Sequence, residues 1–125
     1  MPDELPVEFQ TAWRTFTTRD GRRYDYQYDG RCPTVRAARY EDASDYIFLL
    51  MDPERRLYRI PVRVSAAALA LVRQRELGEE SLVRLIERHL HQVLDDGFVP
   101  RANFPYDQLD GFFAVDAAAM VRLLA

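Results

Sequence analysis

Lysine is missing from this chain: all 17 basic residues are arginine. No side-chain amine is therefore available for Schiff-base chemistry. Cys32 is the only cysteine, so no intrachain disulfide can form. That fits a reducing compartment. Without a flanking glycine or histidine pattern, Cys32 reads as a small packed thiol and not as a nucleophile. Glycine is scarce, at 5 residues, and neither Gly-x-Gly-x-x-Gly nor a phosphate-binding P-loop occurs. No apolar run reaches the ~18–20 residues of a membrane span. The opening Met1-Pro2-Asp3-Glu4-Leu5-Pro6 is acidic and lacks the cationic and apolar regions of a secretory signal. A cytoplasmic protein with no membrane partner is expected.

What remains is ordinary globular material, 48% hydrophobic and 30% charged over 125 residues. That length suits one core, so a single α+β domain over residues 1–125 is expected, with residues 1–6 as a loose lead-in. The net charge of −3 argues against a general electrostatic grip on duplex DNA. The charge is uneven, however. From Trp13 to Val64 there are 11 arginines against 8 acids, whereas from Ser65 to Ala125 there are 6 against 9.

The organising stretch is Tyr46 to Val64. Tyr46-Ile47-Phe48-Leu49-Leu50-Met51 is an unbroken apolar run, as in a strand buried on both faces. Asp52-Pro53-Glu54-Arg55 supplies a turn. Tyr58, Ile60, Val62 and Val64 then alternate with Arg59, Pro61 and Arg63, the pattern of a strand with one wet face. Ser65 caps a helix running from Ala66 to about Leu77, with Gly78 as its C′ residue.

Upstream, Val7 to Thr18 reads as a long strand with Val7, Phe9, Thr11 and Trp13 on one face, and Phe16 breaking the parity. Arg19-Asp20-Gly21-Arg22 is a hairpin turn. Arg23 to Tyr28 returns as a strand with three tyrosines on one face, and Asp29-Gly30 marks another turn. Pro33 to Tyr40 suggests a further strand, and Glu41 to Asp45 a polar loop. Downstream, Glu79 and Glu80 open a second helix with Leu82, Leu85, Ile86, Leu90, Val93 and Leu94 at helical spacing, ended by Asp95-Asp96-Gly97. Phe98 to Leu109 reads as a ring-packed loop, Gly111 to Val115 as a last strand, and Asp116 as the cap of a closing helix. Val64-Ser65-Ala66-Ala67-Ala68-Leu69 recurs as Val115-Asp116-Ala117-Ala118-Ala119-Met120, a shared local grammar and not a duplicated repeat. The expected fold is an antiparallel sheet of four to five strands with two main helices on one face and a short C-terminal helix.

Groups that could carry chemistry are few. On a helix, His89 and His91 point about 200° apart and cannot share one ion. Glu87, His91 and Asp95 do align along one face, but such a stripe is more often solvated polar surface than a metal site. The paired acids Glu41-Asp42, Glu79-Glu80 and Asp95-Asp96 sit at helix ends or in loops. No catalytic residue, metal or cofactor is expected.

The most suggestive surface is the first hairpin. Trp13, Arg14, Arg19, Arg22, Arg23, Tyr24, Tyr26 and Tyr28 interleave rings with guanidinium groups, and Phe16 and Arg31 extend the set. Rings and arginine are enriched at interface hot spots. The expected function is therefore a non-catalytic interaction or regulatory module, dimeric through the tyrosine ladder, that binds a protein partner. The alternative use of the same hairpin is single-stranded nucleic-acid or nucleotide binding, with rings as stacking platforms. Against both stands a structural reading: the rings are core and the arginines pair with Asp20, Asp25 and Asp29. Arg19 to Arg23 also fits Arg-x-x-x-Arg, and Asp42-Ala43-Ser44 opens the Asp-x-Ser-x-x-Gly of PilZ-like cyclic-di-GMP receptors. Ile47 stands where that pattern needs glycine, and the resemblance is not adopted.

Overall fold

The computed structural model describes residues 12–33, 44–99 and 114–125. The elements are β1 (Arg14–Thr17), β2 (Arg23–Pro33), β3 (Ser44–Met51), β4 (Leu57–Val64), α1 (Ala66–Gln74), α2 (Glu79–Asp95), β5 (Ala114–Val115) and α3 (Ala117–Leu124). The five strands form one sheet in chain order. The first four run antiparallel and β5 pairs parallel to β4, so the α+β class with two main helices and a short closing one is observed. The expected strand parts at 7–11, 34–40 and 111–113 and most of the ring-packed loop lie outside the described residues.

Both hairpins use the same device. In the first, Gly21 takes the left-handed position (φ 91°) while Thr18 N–H donates to Arg22 O at 2.9 Å. In the second, Arg55 takes it (φ 69°) and Asp52 N–H donates to Arg56 O at 2.9 Å. Of the Asp-Gly pair, only the glycine needs positive φ, because the loop is a tight turn followed by a one-residue bulge. Asp52 holds the second turn by accepting from the amides of Glu54 and Arg56 at 2.9 and 2.8 Å.

Two expected boundaries move. Asp29-Gly30 is not a turn: β2 runs straight through it, and the register against β3 shifts between Tyr28 and Gly30. Gly30 at φ 115° absorbs the extra residue as a bulge. Nor is Gly78 the C′ residue of α1. Glu76 holds that place at φ 56°, with Glu76 N–H donating to Arg73 O and Leu77 N–H to Val72 O, a Schellman end. Gly78 is the N-cap of α2 and offers no side-chain cap.

The core lies between one sheet face and the three helices. Tyr24, Tyr26 and Tyr28 of β2, Tyr46, Phe48 and Leu50 of β3, and Ile60, Val62 and Val64 of β4 meet Leu69 and Val72 of α1, Ile86, Leu90 and Leu94 of α2, and Met120 and Leu123 of α3. Each fully buried side chain of this kind contributes roughly 1.5–3 kcal/mol. Pro61 lies in β4 opposite Ile47 of β3, outside the two residue pairs described with β5. The two echoed segments lie side by side, Val64 opposite Val115. Each feeds a capped helix, Ser65 accepting from Ala68 N–H at 3.1 Å and Asp116 from Ala119 N–H at 2.8 Å.

Candidate functional site

The polar stripe Glu87, His91 and Asp95 on α2 faces the first hairpin, and each member meets a hairpin residue. Glu87, itself buried, receives Arg14 at 3.3 Å and Arg84 of its own helix at 3.6 Å. His91 Nε2 is 2.9 Å from the Tyr26 hydroxyl. Its ring stacks on Phe16, centroids 4.2 Å apart and planes 3° from parallel. Asp95 takes both the backbone N–H and the guanidinium of Arg19, each at 2.7 Å. Arg22 donates to Leu94 O at 2.9 Å and to Tyr24 Oη at 2.9 Å, and pairs with Asp20 at 3.1 Å. The last turn of α2 has no basic residue of its own. Arg19 and Arg22 therefore supply from the hairpin the positive charge that a helix C-terminus favours.

This seam sets the protonation states of its members. Burial, with Arg14 nearby, lowers His91 to about 4. Burial and then the Glu87 charge push the Tyr26 phenol far up. At neutral pH the pair is thus a neutral imidazole against a neutral phenol. Proton transfer at pH 7 works best with groups titrating near that pH, and both are displaced from it. Glu87 and His91 both lie against Tyr26, while Asp95 is tied to Arg19. No group of three or more His, Cys, Asp or Glu able to hold a metal ion occurs among the described residues.

The hairpin residues expected to bind a partner divide into three groups. Tyr24, Tyr26 and Tyr28 are buried in the core under the helices. They are not a platform on which a base or a partner could stack. The expected symmetric dimer needs that ladder on the outside, so this route to a dimer closes. The rings turn inward because Tyr26 and Tyr28 sit opposite Leu50 and Phe48 on the apolar face of β3. Arg14, Arg19 and Arg22 belong to the seam. Arg23 and Trp13 alone remain well exposed outside it, Arg23 beside Asp25 at 3.6 Å and Trp13 with 47% of its surface open. The expected pairing with hairpin acids is observed for Arg22 with Asp20 and Arg23 with Asp25, whereas Arg14 and Arg19 pair with Glu87 and Asp95, and Asp29 meets Arg59.

Sequence reasoning assigned the tyrosine ladder to the open face of the sheet and missed the residues that occupy it. Strand alternation places Thr15, Thr17, Arg23, Asp25, Gln27, Leu49, Met51, Leu57 and Arg59 there, away from the helices. Leu57 sits opposite Met51 and is 57% exposed. The far end of the same face, with Asp45, Ile47 and Arg63, is buried. There Arg63 grips Asp45 through two bonds of 2.9 and 3.2 Å. The only hint of this face in the sequence is the unbroken apolar run of β3, whose alternate members must point away from the helices.

No family model, curated protein or solved structure matches this chain. No helix among the described residues is long and apolar enough to cross a membrane.

Proposed function

We propose that the protein is a small non-catalytic interaction module that binds a protein partner on the face of its sheet turned away from the described helices. The observation that carries this reading is exposed Leu57 with half-buried Leu49 and Met51 beside it, flanked by the exposed arginines Arg23, Arg55 and Arg59. Exposed apolar side chains rimmed by polar ones mark interaction sites, and Arg is a frequent anchor in them. The chemistry of the seam supports the non-catalytic half of the proposal. Its ionisable groups are engaged in docking the hairpin, and its one imidazole titrates well below neutral pH. Single-stranded nucleic-acid binding has less support, because the tyrosines that would stack bases lie in the core.

The test is photocrosslinking in the source organism, from an unnatural side chain at Leu57 and, as a control, at exposed Ala67 on α1. A discrete protein adduct from Leu57, absent from Ala67 and lost when Arg55→Glu and Arg59→Glu are added, is expected. Equal adducts from both positions, or none from Leu57, would refute the proposal.

A further inference from the structure

We infer that the partner segment is acidic and carries bulky apolar side chains, an inference that rests on the preceding reading of the sheet face turned away from the described helices. The arrangement of charge on that face carries it. Asp25 lies low, between Thr15 and Met51 on the neighbouring strands, and accepts from Thr15 Oγ at 2.8 Å. Two guanidinium groups reach over it, Arg55 at 3.3 Å and Arg23 at 3.6 Å. The Arg55 side chain is 73% exposed against 21% for Asp25. Arg59, opposite Leu49 on β4, reaches Asp29 only at 4.0 Å. Three cations therefore share two carboxylates, and the cations are outermost. Arg23, Arg55 and Arg59 against Asp25 and Asp29 leave a net charge of +1 around the apolar group, and Glu54 in the adjoining turn is paired with Arg56.

Within that rim, Leu49 and Met51 are two residues apart on β3, and Leu57 stands beside Met51. Side chains two apart on a strand are roughly 7 Å from one another, a spacing that suits one or two large apolar residues of a partner. Desolvating these groups supplies affinity, while the rim selects the sign of the partner and speeds encounter. A second copy related by a two-fold axis would set one cationic rim against another, which like charge disfavours. Single-stranded nucleic acid would satisfy the rim but would find no ring at the centre on which to stack. An acidic polypeptide with apolar residues satisfies both parts.

The experiment uses the full chain and fluorescence anisotropy with three labelled probes. These are a pool of short peptides alternating Asp or Glu with Leu or Phe, the same pool with Ser for every acid, and an oligothymidylate. The acidic pool is expected to bind saturably and to weaken about tenfold or more as salt is raised through the range where the Debye length shrinks. Arg55→Gln with Arg59→Gln should weaken it by about tenfold, and Leu57→Ser by a similar factor, with melting temperatures unchanged because all three side chains are exposed. Equal binding of the Ser pool, lost in Leu57→Ser but not in the arginine variant, would overturn the acidic preference and leave the interaction reading standing. Binding insensitive to every face variant, or no binding of either pool, would overturn both. Tighter binding of oligothymidylate, or a dimer abolished by Leu57→Ser in light scattering, would replace this partner with nucleic acid or with a second copy.

Discussion

The buried pair Asp45–Arg63 is the place where one substitution should cost this fold most. The two residues face each other across β3 and β4, are about as buried as the core around them, and share bonds of 2.9 and 3.2 Å. Replacing Asp45 by alanine leaves a guanidinium that cannot discharge inside a site that excludes water. Breaking such a pair from one side costs about 3–5 kcal/mol. Domains of this size have only about 5–15 kcal/mol in total, so Asp45→Ala should approach the limit of folding. Arg63→Met should cost less, because a lone carboxyl can take up a proton and methionine fills much of the arginine stem's volume. The double variant Asp45→Ala with Arg63→Met should recover most of the loss, since an apolar replacement of both partners is often neutral. Urea denaturation followed by circular dichroism on the four proteins gives the cycle. A loss under about 1 kcal/mol for Asp45→Ala would refute the reasoning, because it would mean that Arg63 is satisfied by water or by another group once released.

Three further outcomes follow from the seam and the helix ends. His91 titrates near 4 in the fold and near 6.5 when unfolded, so the unfolded chain binds the proton more readily. Stability is complete above pH 6.5 and falls as pH drops through 4, by about 1–2 kcal/mol after allowing for partial exposure. His91→Phe should reduce that loss in urea midpoints taken across pH, and an NMR midpoint of 6.5 for the His91 imidazole would refute the burial argument. Glu76→Gly should stabilise by about 0.5–1 kcal/mol and Gly97→Ala destabilise by about 1, since both hold the left-handed end of a helix, at φ 56° and 100°. Equal effects of one sign in melting curves would refute it. Glu87→Ala, removing the acceptor shared by Arg14 and Arg84, should cost about 1–3 kcal/mol, with hydrogen exchange rising first in β1.

The β3–β4 hairpin and the helices were legible because their signals are local: an apolar run, a Pro-containing turn, strict alternation, and a 3.6-residue period. The errors share one cause, which is that sequence shows spacing but not what stands opposite. Asp29-Gly30 has turn chemistry, yet β3 is long enough to pair on both sides of it, so the glycine becomes a bulge. Gly78 follows a helix at the right distance, but the chain turns left-handed two residues earlier, at Glu76. The tyrosine ladder could face either side of the sheet. The apolar face of β3 decides it, and with it the fate of the expected binding surface. The stripe on α2 was visible, but its partners are 73, 65 and 76 residues away in the chain. No local pattern announces those contacts.

The closing β5–α3 unit shows how a weakly paired element is held. Among the described residues, two residue pairs and the bond from Ser65 N–H to Val115 O at 3.0 Å are its ladder contacts to β4, too few to hold a strand without burial. Its anchor is instead the buried trio Ala119, Met120 and Leu123, set in register by the Asp116 cap. Arg88 of α2 adds a bond to Leu123 O at 3.0 Å. If so, the unit should open before the sheet does. Asp116→Ala, removing the 2.8 Å bond to Ala119 N–H, should cost about 1 kcal/mol and should lower hydrogen-exchange protection in α3 while leaving β2 and β3 unchanged. Met120→Ala, in contrast, opens a cavity in the shared core and should cost about 2–5 kcal/mol, lowering protection throughout. If Asp116→Ala lowered protection uniformly, the unit would be an integral part of the cooperative core, and the two-residue parallel pairing would have to be stronger than its length allows.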